Sequence, residues 1–136
     1  MKVNALTVVL GLGFLITGLF AFFAPTQFFS LLGSYYGTFN SHFVKDAGIA
    51  FFCSGFLLLL SLKIIQWRLP LTFCGSLFVI LHGAFHTQMI MRGMVPTAFD
   101  IGIELVVIIM PSVLTAALLI LRILESRKHA KASLTN

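Results

Sequence analysis

The chain has few charged residues and only two cysteines. Charged residues make up 10% of its 136 positions, whereas an ordinary soluble domain carries roughly a quarter. Cys53 and Cys74 are isolated, with no CxxC motif and no histidine at metal-ligand spacing beside either. We therefore expect both cysteines to be small buried hydrophobic residues. The length excludes two ordinary domains, and the composition excludes a soluble one.

Hydrophobic residues make up 59% of the chain and are concentrated in four long runs. A helix needs ~20 apolar residues to cross a bilayer, and in lipid the backbone must bond to itself. The sequence therefore predicts an all-α integral membrane four-helix bundle, a single domain over residues 1–123. Its spans are predicted at about 4–24, 41–65, 70–91 and 97–122. Pro111 should bend the last span, because it removes a helical hydrogen bond.

The segment between the first two spans, residues 25–40, contains no charge. Phe28, Leu32, Tyr35 or Tyr36, and Phe39 recur in it at helical spacing. This pattern predicts a short interfacial helix with aromatic side chains at the lipid headgroups. Such a helix either anchors the protein or covers a site below it.

The basic residues predict the orientation. The net charge is +5, but the cations lie at the ends of apolar runs, so we expect no nucleic-acid partner. Arg92 is the one cation expected outside the spans on its side. The other side carries Lys2, Lys63, Arg68, Arg122, Arg127, Lys128 and Lys131. The positive-inside rule then places both termini in the cytoplasm of a bacterial cell. Residues 124–136, which include Glu125, form a basic cytoplasmic tail.

Six acidic or imidazole residues form three pairs with a spacing of four, which places each pair on one helix face. At 1.5 Å per residue, all six are expected ~2–14 Å below the outer ends of their helices. Ionisable groups inside a membrane persist when they face the bundle interior, paired or bound to something. We therefore expect a convergent cluster of His42, Asp46, His82, His86, Asp100 and Glu104.

The expected charge of this cluster suggests a metal ion. Its three carboxylates carry −3 if ionised, Lys45 contributes +1, and Arg92 lies at the rim. Imidazole and carboxylate ligands in helical bundles hold Fe, Zn, Mn or Cu. His42 and His86 could instead hold a haem, which ranks below a bare ion. Two alternatives stay open: a structural or proton-carrying network, and a site for an organic ligand or transported substrate.

Small residues are expected where the helices pack closely. Gly11 and Gly13 in the first span, and Gly48, Ser54 and Gly55 in the second, suit close contact between transmembrane helices.

Two segments resemble small four-span bacterial proteins of the DoxX-like kind. GLGFLITG at residues 11–18, with FFAP at 22–25, resembles their first helix. HFVKDAG at 42–48 resembles the opening of their second helix. The resemblance implies a four-helix inner-membrane fold. Some relatives are tied to quinone or thiosulfate oxidation complexes, but no catalytic residue carries over, because fold alone does not define function.

Together these patterns predict a module of the bacterial inner membrane that binds a metal or a redox cofactor near the outer face. The alternative is a non-enzymatic subunit or transport protein whose cluster is structural or carries protons. The expected partners are the lipid bilayer and either a membrane protein complex or further copies of the chain. The sequence does not decide whether the protein is an enzyme.

Overall fold

The computed structural model describes residues 2–32 and 37–134, with side chains up to residue 128. Within these ranges the chain forms helices and turns and no strand. The helices are α1 (Lys2–Phe23), α2 (Pro25–Ser30), α3 (Ser41–Lys63), α4 (Arg68–Met91), α5 (Ala98–Glu104) and α6 (Met110–Leu134). A 3₁₀ turn, Ile65–Trp67, precedes α4, and a π-helix, Leu105–Ile109, joins α5 to α6.

Four of the helical stretches in the described chain are long and apolar enough to cross a membrane. They are Lys2–Phe23, Ser41–Lys63, Ile65–Met91 and Ala98–Lys128, close to the predicted spans. The last helix continues beyond the predicted end at residue 122. Large apolar side chains such as Ile16, Phe56 and Phe85 are exposed on the outside of the bundle, as lipid-facing residues are. The described part of the chain is thus all-helical, with four helices compatible with a multi-pass membrane protein.

Glycines set the distance between α1 and α3. A Cβ on Gly18 would lie 2.6 Å from the carbonyl oxygen of Gly48, and one on Gly55 would lie 2.5 Å from that of Gly11. Both distances are shorter than atoms tolerate, so these positions hold the two backbones in contact. The predicted packing roles of Gly11, Gly48 and Gly55 are confirmed. That of Gly13 is wrong, because nothing lies within 4 Å of a Cβ built there.

A glycine also brings α4 close to α6. A Cβ on Gly83 would collide with the side chain of Ser112. The Ser112 hydroxyl lies 2.9 Å from the carbonyl oxygen of Val79 across the helix–helix contact and 2.7 Å from that of Ile108 in its own span. Gly83 lies about one turn from His86 along α4, so this packing holds the part of α4 that carries His86 against the last span.

Pro111 lies just after an irregular part of the last span. The π-helix Leu105–Ile109 ends two residues before it, and the Met110 N–H donates to the carbonyl of Leu105. Proline has no N–H with which to continue the regular ladder of helical hydrogen bonds. Segments of π-helix inside α-helices often lie at functional sites. Glu104 immediately precedes this segment.

The expectation for the cysteines is wrong. Cys53 and Cys74 are both exposed, on the outer surface of α3 and α4. The buried positions of α3 include Ser54 and Gly55, the residues that follow Cys53, so Cys53 lies beside the packed seam.

Two short elements lie between the long helices. Phe28 of α2 packs edge-on against Phe20, with ring centroids 5.7 Å apart. The predicted helix after the first span is present only over Pro25–Ser30. Leu32 and Phe39 lie outside it, and Tyr35 and Tyr36 lie outside the described residues. At the end of α4, Gly93 adopts a φ of 67°, and its N–H donates to the carbonyl of Ile90, which closes the helix.

Candidate functional site

A histidine and a glutamate from different spans meet inside the bundle. The distance between His86 Nδ1 and Glu104 Oε2 is 2.7 Å. The two side chains are 4% and 0% exposed. His86 follows Gly75, Val79 and Gly83 on the buried face of α4, which explains why it points inward. Glu104 is the buried residue of α5. The predicted meeting of His86 with Glu104 is therefore observed.

A second histidine extends this pair along α4. The ring centroid of His82 lies 4.4 Å from that of His86. Phe78 stacks on His82 at 5.3 Å, and Phe51 of α3 meets it edge-on at 5.4 Å. His82 is therefore held in an aromatic setting one turn deeper than His86, between α3 and α4. We call His82, His86 and Glu104 the buried polar site.

The His42–Asp46 pair does not reach the buried polar site. His42 Nδ1 lies 2.9 Å from Asp46 Oδ2 on the same helix, and the side chains are 87% and 60% exposed. The buried face of α3 contains Val44 and Gly48. Asp46 lies two residues from each of these, about 200° around the helix, so it faces away. The prediction that these two residues face the bundle interior is wrong.

Asp100 caps its helix. Thr97 Oγ1 donates to Asp100 Oδ2 at 2.6 Å, and the Asp100 N–H donates to Thr97 Oγ1 at 3.1 Å. This reciprocal arrangement satisfies donors at the start of α5. The carboxylate of Asp100 therefore has a local partner in the first turn of the helix, and Glu104 alone of this pair lies in the buried polar site.

The two predicted charge partners lie apart from this site. The Lys45 ammonium lies 5.8 Å from the ring centroid of Phe22 in α1, a cation–π contact. Arg92 is exposed and ends α4. Neither forms an ion pair with a carboxylate in the part of the chain that the structure describes. Lys45 therefore contacts Phe22 rather than a carboxylate of the expected cluster.

The metal hypothesis is wrong. Among the described residues, no group of three or more His, Cys, Asp and Glu side chains could hold a metal ion. Two predicted ligands, His42 and Asp46, point out of the bundle, and Asp100 is held by Thr97. The prediction of a haem, which needs no such group, stays a prediction.

Sequence analysis missed a second buried polar centre at the opposite end of α1 and α6. Arg122, assigned above only to the orienting charges, is 3% exposed. Its Nη2 donates to Asn4 Oδ1 at 2.7 Å and to Thr7 Oγ1 at 3.0 Å. Its Nη1 donates to Glu125 Oε2 at 2.8 Å, so Glu125 is an ion-pair partner rather than a residue of a solvated tail. The spacing of three in both Asn4–Thr7 and Arg122–Glu125 was the available clue.

Comparisons of the chain with protein families, with curated proteins and with solved structures find no match. The DoxX-like resemblance of the first two helices therefore stays a prediction.

Proposed function

We propose that this multi-pass membrane protein binds and releases a proton at the His86–Glu104 pair, as a transport protein or as a subunit of a membrane complex. The observation that carries this proposal is the 2.7 Å contact between two fully buried ionisable side chains from different spans. Ionisable groups at bilayer depth each cost about 2.5–3.5 kcal/mol on insertion scales. Groups of this kind often mark proton relays in membrane proteins.

The charge of the pair supports proton binding. With a neutral imidazole that donates its Nδ1 proton to an ionised Glu104, the pair carries a charge of −1. One further proton makes it neutral, either as imidazolium and carboxylate or as imidazole and carboxylic acid. Because charges interact strongly in a low dielectric, the local energy of the buried pair depends strongly on whether it holds this one proton.

His82 gives the proton a second position. Its ring lies next to that of His86. His82 is partly exposed, whereas His86 is buried. Imidazole accepts and donates at different ring nitrogens, so His82 can pass a proton along α4. The stacked Phe78 restricts the ring and keeps it beside His86. This arrangement favours a short proton relay rather than a static structural contact.

The distribution of Lys and Arg supports an orientation with both termini in the cytoplasm of a bacterial cell. In that orientation, His86 lies about 8 Å from the outer end of α4. The buried polar site then exchanges its proton with the outer side of the inner membrane. The exposed His42–Asp46 pair lies at the start of α3, toward the same side.

Infrared difference spectroscopy of the protein in lipid nanodiscs tests this proposal. A reversible pH jump should change the carboxyl band of Glu104, because proton binding at the pair alters its carboxylate. Glu104→Gln should remove that band while the protein stays folded, because the amide retains the size and the acceptor oxygen of the carboxylate.

Asp46→Asn is the matched control, because Asp46 also lies next to a histidine but is exposed. It should leave the Glu104 band unchanged. If neither a carboxylic acid band nor a carboxylate band that Glu104→Gln removes changes reversibly in the wild type, the pair is a static structural contact and the proposal is wrong.

A further inference from the structure

We infer that the end of the bundle opposite His86 holds the phosphodiester of an anionic phospholipid headgroup between Arg68 and Arg122. An open cavity of about 370 Å³ lies there, within the ~300–1,000 Å³ range of ligand pockets. Its lining comes from the turn before α4, from the first residues of α4 and from α6. The inference is independent of the proposed proton site, which lies near the other end of α4.

The donors of this cavity match a phosphate. Arg122 lines it and supplies a positive charge; its Nε is itself buried and has no hydrogen-bond partner among the described residues. Arg68 also lines it and donates from its Nε to the carbonyl of Ser61 at 3.4 Å. The terminal nitrogens of Arg68 make no hydrogen bond within the described chain. Guanidinium groups bind phosphate oxygens through paired N–H donors.

The net charge of the cavity favours an anion. Glu125 also lines it, but its carboxylate is bonded to Arg122 at 2.8 Å and is partly exposed. Two arginines and one glutamate leave a charge of +1. Lys63, Arg127 and Lys128 are exposed at the same end of the bundle and add to the positive potential. Basic pockets between transmembrane helices are a known form of headgroup recognition.

The lining also contains apolar side chains, which favours a lipid over a free anion. Ile65 and Leu69 lie in the cavity wall beside the arginines. Ile65 is 69% exposed at the end of the span, where acyl chains begin. A phospholipid can place its phosphate against the arginines and its glycerol and upper acyl chain against Ile65 and Leu69. A free phosphate ion uses the first contact alone.

The test measures lipid affinity with the purified full-length chain. The melting temperature in detergent is followed as phosphatidylglycerol, phosphatidylcholine or inorganic phosphate is added. Phosphatidylglycerol should raise the melting temperature of the wild type, and phosphatidylcholine should do so much less. Arg68→Gln should weaken the apparent affinity for phosphatidylglycerol about tenfold, because it removes a charged donor. Arg92→Gln, an exposed arginine at the other end, should not change it.

A second variant leaves both arginines in place. Ser126→Leu puts a bulkier side chain into the cavity wall and should also weaken binding of phosphatidylglycerol. Equal effects of Arg68→Gln and Arg92→Gln, or equal shifts from the two lipids, would overturn the inference. If inorganic phosphate stabilises the wild type as strongly as phosphatidylglycerol and abolishes its effect, the site takes a free anion and the lipid assignment is wrong.

Discussion

His86 Nδ1 lies 2.7 Å from Glu104 Oε2, although the two residues are 18 positions apart in the chain. The contact joins α4 to the start of the last span and lies directly before the π-helix Leu105–Ile109. It therefore depends on the irregular part of that span as well as on Gly83, which admits Ser112 one turn away. A local change of the π-helix would move Glu104 relative to His86.

Glu104→Leu should lower the free energy of unfolding by about 1–3 kcal/mol, because it leaves His86 buried without this partner. Glu104→Gln should cost less, since its amide oxygen can accept from His86. The His86→Leu and Glu104→Leu double variant should be less destabilised than the sum of the single changes. Thermal or denaturant unfolding in detergent gives these values. A double variant that loses the full sum would show that the contact carries no coupling energy.

Gly18→Ala should destabilise the protein by about 1–3 kcal/mol, because its new Cβ overlaps the backbone of α3. Gly13→Ala, on the same helix, is the matched control. No neighbour lies within 4 Å of its Cβ, so it should be neutral or stabilise by up to ~1 kcal/mol through better helix propensity. Comparable melting temperatures for the two variants would contradict the close packing of α1 on α3.

Arg122→Gln should destabilise the bundle by about 1.5–3 kcal/mol, because hydrogen bonds from a charged side chain to Asn4 and Thr7 are lost. Arg127→Gln also removes a positive charge, but from an exposed side chain, and should change the free energy of unfolding by less than about 0.5 kcal/mol. The comparison of their unfolding midpoints separates the buried network from general loss of positive charge. A similar small effect of both changes would argue against a structural role for Arg122.

Reporter fusions test the topology. A reporter that is active only outside the cytoplasm should be silent at the C-terminus and active when inserted in the loop at residues 92–96. This follows from the seven cations at one end of the spans and from Arg92 alone at the other. The opposite pattern would reverse the bundle, and the buried polar site would then face the cytoplasmic half.

The sequence predicts the spans well because the length and hydropathy of each apolar run can be read directly from its residues. The depth of the site residues along their helices was also predictable, because His86 and Glu104 were expected at similar distances from their helix ends and do meet. The rotation of each helix about its own axis was harder to predict, because it depends on how that helix packs against its neighbours. Asp46 faces outward because Gly48 and Val44 form the packed face of α3, and that glycine pattern was visible in the sequence. The arginine centre was missed because Arg122 had been assigned only to orientation.

The titration of His86 in lipid is the most direct test of the central claim. Nitrogen-15 NMR of the labelled imidazole follows its protonation and hydrogen bonding as the pH is varied. We expect the His86 shifts to change reversibly while the protein stays folded. The transition should move in Glu104→Gln and stay in place in Asp46→Asn. His86 shifts that remain constant across the whole folded range, with the same value in Glu104→Gln, would contradict a proton site at this pair.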